Sequence, residues 1–214
     1  MLSVHHLSLR LGATALLTQI NFQVGEGEIL TLMGPSGCGK SSLLGWMVGA
    51  LAAPLYADGE LWLNDRRVDL LPTAARRIGI LFQDALLFDH FSVGQNLLLA
   101  LPAALRGVAR QRAVETALAQ AGLEGYASRD PATLSGGQRA RVALLRALLA
   151  QPRALLLDEP FSKLDAALRE SFRQWVFNET RGRGIPVVQV THDVRDAPPG
   201  GRVLQMAEYA DKLR

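Results

Sequence analysis

Apolar and polar residues alternate through the first ten positions, and Leu2 to Leu9 and Gln19 to Val24 predict half-buried strands joined by a short turn. Gly25-Glu26-Gly27-Glu28 follows as a hairpin signal, and Ile29 to Met33 is an apolar run of strand length. Ser41 to Val48 predicts a helix, and Gly59 to Leu63 and Ile78 to Phe82 are further strands. From Phe88 the pattern turns helical. Ser92-Val93-Gly94-Gln95 has capping-box spacing and opens a helix through about Leu101. Gly107 to Gly122 predicts a second helix, with Ala113, Val114, Ala117, Leu118 and Ala121 on one face. Ser135-Gly136-Gly137-Gln138 repeats the capping box and opens a third, through about Ala150. Ala154 to Leu157 then predicts a buried strand, Ala166 to Thr180 a helix, and Val187 to Val190 and Arg202 to Met206 two strands. This alternation implies an α/β fold with a parallel central sheet and helices on its faces. The helical block 88–135 sits outside it and is expected to be an inserted subdomain of a single domain, 1–214.

Composition narrows the setting. Hydrophobic residues at 49% and charged residues at 20% describe a folded globular chain. The net charge of +3 arises from 23 basic and 20 acidic residues without a block of one sign, so no nucleic-acid partner is expected. Cys38 is the single cysteine, which excludes an intramolecular disulfide and suits a reducing cytosol. The longest apolar run, Leu97 to Leu105, is about half of the ~20 residues that a membrane helix needs, and Pro102 interrupts it.

Two phrases carry the chemistry. Gly34-Pro35-Ser36-Gly37-Cys38-Gly39-Lys40-Ser41 has the G-x-x-x-x-G-K-[ST] form of a nucleoside triphosphate cradle, between a predicted strand and a predicted helix as that cradle requires. Its glycines let backbone N–H groups close on phosphates, Lys40 reaches the outer phosphates, and the Ser41 hydroxyl can hold Mg²⁺. Leu134-Ser135-Gly136-Gly137-Gln138 offers a second phosphate-binding helix start, which implies two copies of the chain. Leu155-Leu156-Leu157-Asp158-Glu159 ends a buried strand in two carboxylates, Asp158 placed for the Mg²⁺ shell and Glu159 to polarise an attacking water. His192 and Gln83 each follow a strand. Taken singly, the histidine is as readily a surface residue, and Gln83 could reach Mg²⁺ or the water or do neither.

In order and spacing, Gly34 to Ser41, Gln83, Leu134 to Gln138, Asp158-Glu159, Ser162-Lys163-Leu164-Asp165 and His192 resemble the nucleotide-binding subunit of ABC transporters over nearly the whole chain. The resemblance makes these the Walker A, Q-loop, signature, Walker B, D-loop and switch-histidine elements. It implies a P-loop ABC ATPase core with an N-terminal antiparallel β subdomain and an inserted helical subdomain. It also implies ATP and Mg²⁺ as ligands, bound between the P-loop of one copy and Ser135, Gly136 and Gly137 of another in a head-to-tail dimer. Gln138 and Asp165 would lie at that interface. The stretch Phe82-Gln83-Asp84 to Leu87-Phe88, then Phe91-Ser92-Val93 and Asn96, resembles importers of the thiamine, sulfate and ferric-iron kind. These work with transmembrane permease subunits and, through them, a substrate-binding protein, at the cytoplasmic face of the inner membrane. Leu86, Leu87, Phe88 and Phe91 either line the groove for the permease or pack inside the helical block. An exporter ATPase or an iron-sulfur assembly ATPase carries similar motifs.

Three positions depart from the family pattern. Leu11 stands where an aromatic residue usually stacks on adenine, and Ser42 replaces the commoner threonine after Ser41. The chain ends about twenty residues past His192, which implies no C-terminal regulatory domain. Cys38 lies among the phosphate-binding glycines, either as a reactive group or as a small loop filler. Alkylation of Cys38 is expected to abolish ATP turnover, with bound ATP protecting the thiol; undiminished turnover after complete labelling, checked by mass spectrometry, refutes this.

Overall fold

The computed structural model describes residues 1–209. Two sheets share the chain. The first is antiparallel, in the order β2 (Thr14–Val24), β1 (Leu2–Leu11), β4 (Leu55–Leu63), β5 (Arg66–Arg67). The second is parallel, in the order β6 (Ile78–Leu81), β7 (Ala154–Asp158), β8 (Val187–Thr191), β3 (Ile29–Met33), β9 (Arg202–Gln205). Its strands run opposite to nothing, so helices must return the chain: α1 (Lys40–Val48), α2 (Thr73–Arg76), α3 (Val93–Leu98), α4 (Val108–Gln120), α5 (Gly136–Leu149) and α6 (Ala166–Gly182).

Burial explains the layering. Successive residues of a strand face opposite sides, and β7 shows it: Leu156 joins a core formed with β1, β2 and α1, whereas Leu155 and Leu157 join a core with α5 and α6. Val93, Leu97, Val114 and Leu118 of α3 and α4 belong to that second core, and Phe161 and Phe172 pack edge to face within it. Both capping boxes are formed. Ser92 Oγ accepts from Gln95 N and Ser135 Oγ from Gln138 N, with each glutamine returning the bond to the cap backbone.

Several expectations are corrected. Gly25 to Glu28 is not a hairpin: it turns the chain from the antiparallel sheet to the parallel one, with Gly25 N donating to the Glu28 carboxylate at 2.7 Å. The hairpin is instead β1 to β2, closed opposite Leu11 and Thr14, which starts β2 five residues before Gln19. β5 and α2 carry no periodic signal, being two and four residues long.

Arg76 in α2 is buried and fixes the far end of α1. Its guanidinium donates to the Trp46, Met47, Leu71 and Asp69 carbonyls at 2.6, 3.1, 2.9 and 2.6 Å, two of them at the α1 C-terminus. Arg76→Ala is expected to lower unfolding stability by roughly 2–4 kcal/mol, because buried acceptors lose a charged donor. Urea denaturation checks this, and a change below about 1 kcal/mol would contradict it.

Candidate functional site

Because the strands of the second sheet are parallel and in register, β3, β7 and β8 end on one side, Met33 beside Thr191 and Asp158 beside Val190. Ligands bind at that edge of open α/β sheets. The glycine loop leaves β3 there and enters α1 at Gly39. Gly39 has φ 91, and a Cβ on it would lie 3.0 Å from Leu17 Cδ1, so any other residue would be strained there. As the N-cap it has no side chain to cover the first α1 amides, which remain available to an anion.

Lys40 is buried, and its ammonium donates to the Gly34 and Pro35 carbonyls at 2.7 and 2.9 Å, closing the loop on itself. Two of its three N–H bonds are thereby used, and the third makes only a weak contact with the Cys38 sulfur, which a phosphate oxygen would readily replace. Cys38 is half-buried, its sulfur 3.9 Å from the Lys40 ammonium and packed against the first core. A cavity of about 260 Å³ opens beside the loop, lined by Ser36, Gly37, Gly39, Lys40, Ser41, Ser42, Glu159 and Leu16.

The Ser41 hydroxyl donates to Asp158 Oδ1 at 3.0 Å across 117 residues of sequence. Burial pushes the Asp158 carboxyl above its ordinary range, and the Glu159 charge adds to this, while Ser41 and Lys40 oppose it. A hydroxyl beside a carboxylate whose charge burial disfavours is a hard-oxygen pair that a divalent cation would relieve, so the residues fit Mg²⁺. Glu159 has φ 44 and is held there by its N–H to the Val190 carbonyl at 3.0 Å and by Ser162, whose hydroxyl donates to the Glu159 carbonyl at 2.9 Å. His192 Nδ1 lies 3.3 Å from Glu159 Oε2. Gln83 is exposed, and its amide donates to the Ser162 hydroxyl at 3.3 Å, which places it on the Glu159 turn.

The remaining predicted residues lie apart from the cavity. Ser135 and Gly136 are exposed at the start of α5, and Gln138 is taken up by the capping box and by Tyr126, whose hydroxyl it meets at 3.2 Å. Gly137 is buried; a Cβ there would fall 2.3 Å from Leu168 Cδ2, so α5 and the first turn of α6 touch through a glycine. Asp165 caps α6, accepting from Leu168 N at 3.0 Å. Leu11 is 45% exposed at the hairpin turn. Leu16 lines the cavity as well. A bulge pairs Leu9 with Leu17 and Arg10 with Ala15, leaving Leu16 over and turned to the loop, and no alternation signals it.

Of the apolar residues around Gln83, Leu87 enters the second core, while Phe82, Leu86 and Phe88 are exposed at 41%, 55% and 46%. Asn96 fixes this turn, accepting from Phe88 N and donating to the Phe88, Phe91 and Ser92 carbonyls. Among the described residues no helix is long and apolar enough to cross a membrane.

Comparison with known proteins gives the chain a family. The pattern of the ABC transporter family matches residues 17–162. YnjD of Escherichia coli strain K12, an uncharacterized ABC transporter ATP-binding protein, is 68% identical over 100% of both chains. The sulfate/thiosulfate import ATP-binding protein CysA of Nephroselmis olivacea is 39% identical over 91% of this chain, which spans only 56% of that protein's length. The dimeric structure of MJ0796, a bacterial ABC transporter cassette, superposes with a TM-score of 0.81 at 30% identity, covering 100% of this chain and 99% of that one. A dimeric post-hydrolysis state of MJ0796 bound to ADP and Pi superposes with a TM-score of 0.77 at 30% identity, over 92% and 90% of the two chains. The chain belongs to the ABC transporter family and is one of its ATPases, with the α/β ABC ATPase fold.

The raised Asp158 carboxyl has a definite sign in stability. The native state holds the Asp158 proton more tightly than the unfolded chain, so its contribution is fully present below the ordinary value of 3.8 and is lost as pH rises through the raised one. Without nucleotide or metal, Asp158→Asn is expected to melt higher than the wild type at pH 7, the gap closing toward pH 4. Differential scanning fluorimetry across that range checks this, and parallel curves would contradict it.

Proposed function

We propose that this ABC ATPase energises a membrane importer by hydrolysing ATP between two copies of itself arranged head to tail. The main support is the separation of the two anion-binding helix starts. Lys40, Ser41 and Glu159 line one cavity, and the exposed Ser135 and Gly136 lie outside it, free to complete the cavity of a second copy. The relatives agree in kind: MJ0796 is dimeric in both structures above, and CysA is a sulfate/thiosulfate import ATP-binding protein.

In this reading the α1 amides and Lys40 hold the phosphates, Leu16 of the cavity wall offers an apolar surface to the base, and Leu11, exposed at the hairpin turn outside the cavity, is the further candidate for stacking on it. Ser41 and Asp158, with Gln83, would hold Mg²⁺, which when bound neutralises charge on the outer phosphates. Glu159 orients and polarises the water, and His192 steadies the Glu159 carboxylate from 3.3 Å. Asp165 shapes the interface by starting α6 beside Gly137. Residues 88–135 act as an inserted helical subdomain, and the exposed Phe82, Leu86 and Phe88 beside Gln83 form the contact with a transmembrane permease. Through that permease the chain sits on the cytoplasmic face of the membrane and serves a substrate-binding protein.

Two variants test the reading. Lys40→Ala is expected to lower ATP turnover by at least about 10²-fold. Glu159→Gln is expected to lose turnover to a similar extent yet keep ATP binding, and to accumulate as a dimer in saturating Mg-ATP by light scattering. A monomeric Glu159→Gln protein under those conditions contradicts the head-to-tail arrangement.

A further inference from the structure

We infer that Arg169 is a positioning residue for hydrolysis: it ties the loop carrying His192 to the first turn of α6, the turn that also receives Gly137. The inference rests on the reading of Glu159 and His192 given above.

Arg169 lies one turn after the α6 cap Asp165, its side chain 21% exposed. Its Nε donates to Asp196 Oδ1 at 2.8 Å, and one terminal nitrogen lies 2.7 Å from the same oxygen and 3.0 Å from Asp193 Oδ2. Asp196 is 2% exposed and nearly saturated: its other carboxylate oxygen takes the Thr191 hydroxyl at 2.6 Å, and its carbonyl takes the Gln189 amide at 2.8 Å. The Thr191 oxygen in turn accepts from Asp193 N at 3.1 Å. Both chain neighbours of His192 are therefore tied to Arg169, Asp193 directly and Thr191 through Asp196. Arg195 also grips the Asp193 carboxylate, at 2.7 to 3.1 Å, but from an exposed position and without reaching α6, so among the described residues Arg169 alone links this loop to that helix. The His192 ring, 55% exposed, touches only Glu159 within this network.

A cation this well enclosed by carboxylates does more than balance charge. Its fork fixes distance and angle, which an ammonium cannot reproduce. Leu168, next to Arg169, fills the space opposite Gly137, so the same helical turn touches the phosphate-binding start of α5 on one side and the His192 loop on the other. A shift at either would be passed to the other through a rigid turn, and displacement of a reacting group by about 1 Å can cost on the order of 10²-fold in rate.

Arg169→Lys keeps the charge beside Asp196 and loses the fork. It is expected to fold, to retain the wild-type KM for ATP within about twofold, and to lose roughly 10- to 100-fold in kcat. Thr191→Val removes the hydroxyl bond at constant volume and is expected to show the same split more weakly, several-fold in kcat. If Arg169→Lys proves unfolded by circular dichroism, the Thr191→Val result decides alone. Wild-type kcat in the folded variants, or a loss confined to KM, overturns the inference. The two levels separate cleanly: turnover surviving in Glu159→Gln would refute the reading of the site, whereas turnover lost there and intact in Arg169→Lys refutes only the role of Arg169.

Discussion

The arrangement of the whole site follows from the in-register parallel pairing of β3, β7 and β8. A parallel ladder leaves all its strands pointing one way, so the residues that follow Met33, Asp158 and Thr191 emerge at one edge although they come from well-separated parts of the sequence. The two buried cores make that register obligatory. A slip of one residue would send Leu155 and Leu157 to the face that needs Leu156 and would expose or overpack every layer at once.

On this platform, backbone groups do much of the work of holding functional side chains. The Gly34 and Pro35 carbonyls hold the Lys40 ammonium, the Val190 carbonyl and Ser162 hold Glu159 in a left-handed conformation, and the Ser41 hydroxyl meets the Asp158 carboxylate. The arrangement is poised for charge rather than relaxed. A partly buried carboxylate disfavoured by its surroundings and an amide-rich helix start without a cap would both become more stable beside ions of opposite charge, so a ligand bound there would stabilise the native state directly.

The second helix start is organised differently. Ser135 and Gln138 satisfy each other's backbone donors, and Gly137 is buried against Leu168, so α5 is anchored to α6 while Ser135 and Gly136 stay exposed. An exposed helix start built on so rigid a support would suit the proposed interface, closing on a ligand and opening when the ligand is split. The exposed aromatic and aliphatic residues after Gln83 lie on a turn that Asn96 stiffens, so motion of the Gln83 segment and of the patch would be one motion.

The sequence by itself determined the α/β alternation, both capping boxes, the glycine cradle and the carboxylates at a strand end, because these depend on local periodicity and on short spacings that few other structures require. The tertiary structure decided the rest. Which way the Gly25–Glu28 turn leads depends on which sheet receives β3, and a turn sequence is the same in either case. Leu86 and Leu87 are indistinguishable as letters, yet one faces solvent and the other the core. Leu16 reaches the cavity only because a bulge leaves it unpaired, and Arg169 meets Asp193 and Asp196 only because α6 packs beside the end of β8. Contacts of that kind join residues far apart in the chain, and no local pattern specifies them until the layers have packed.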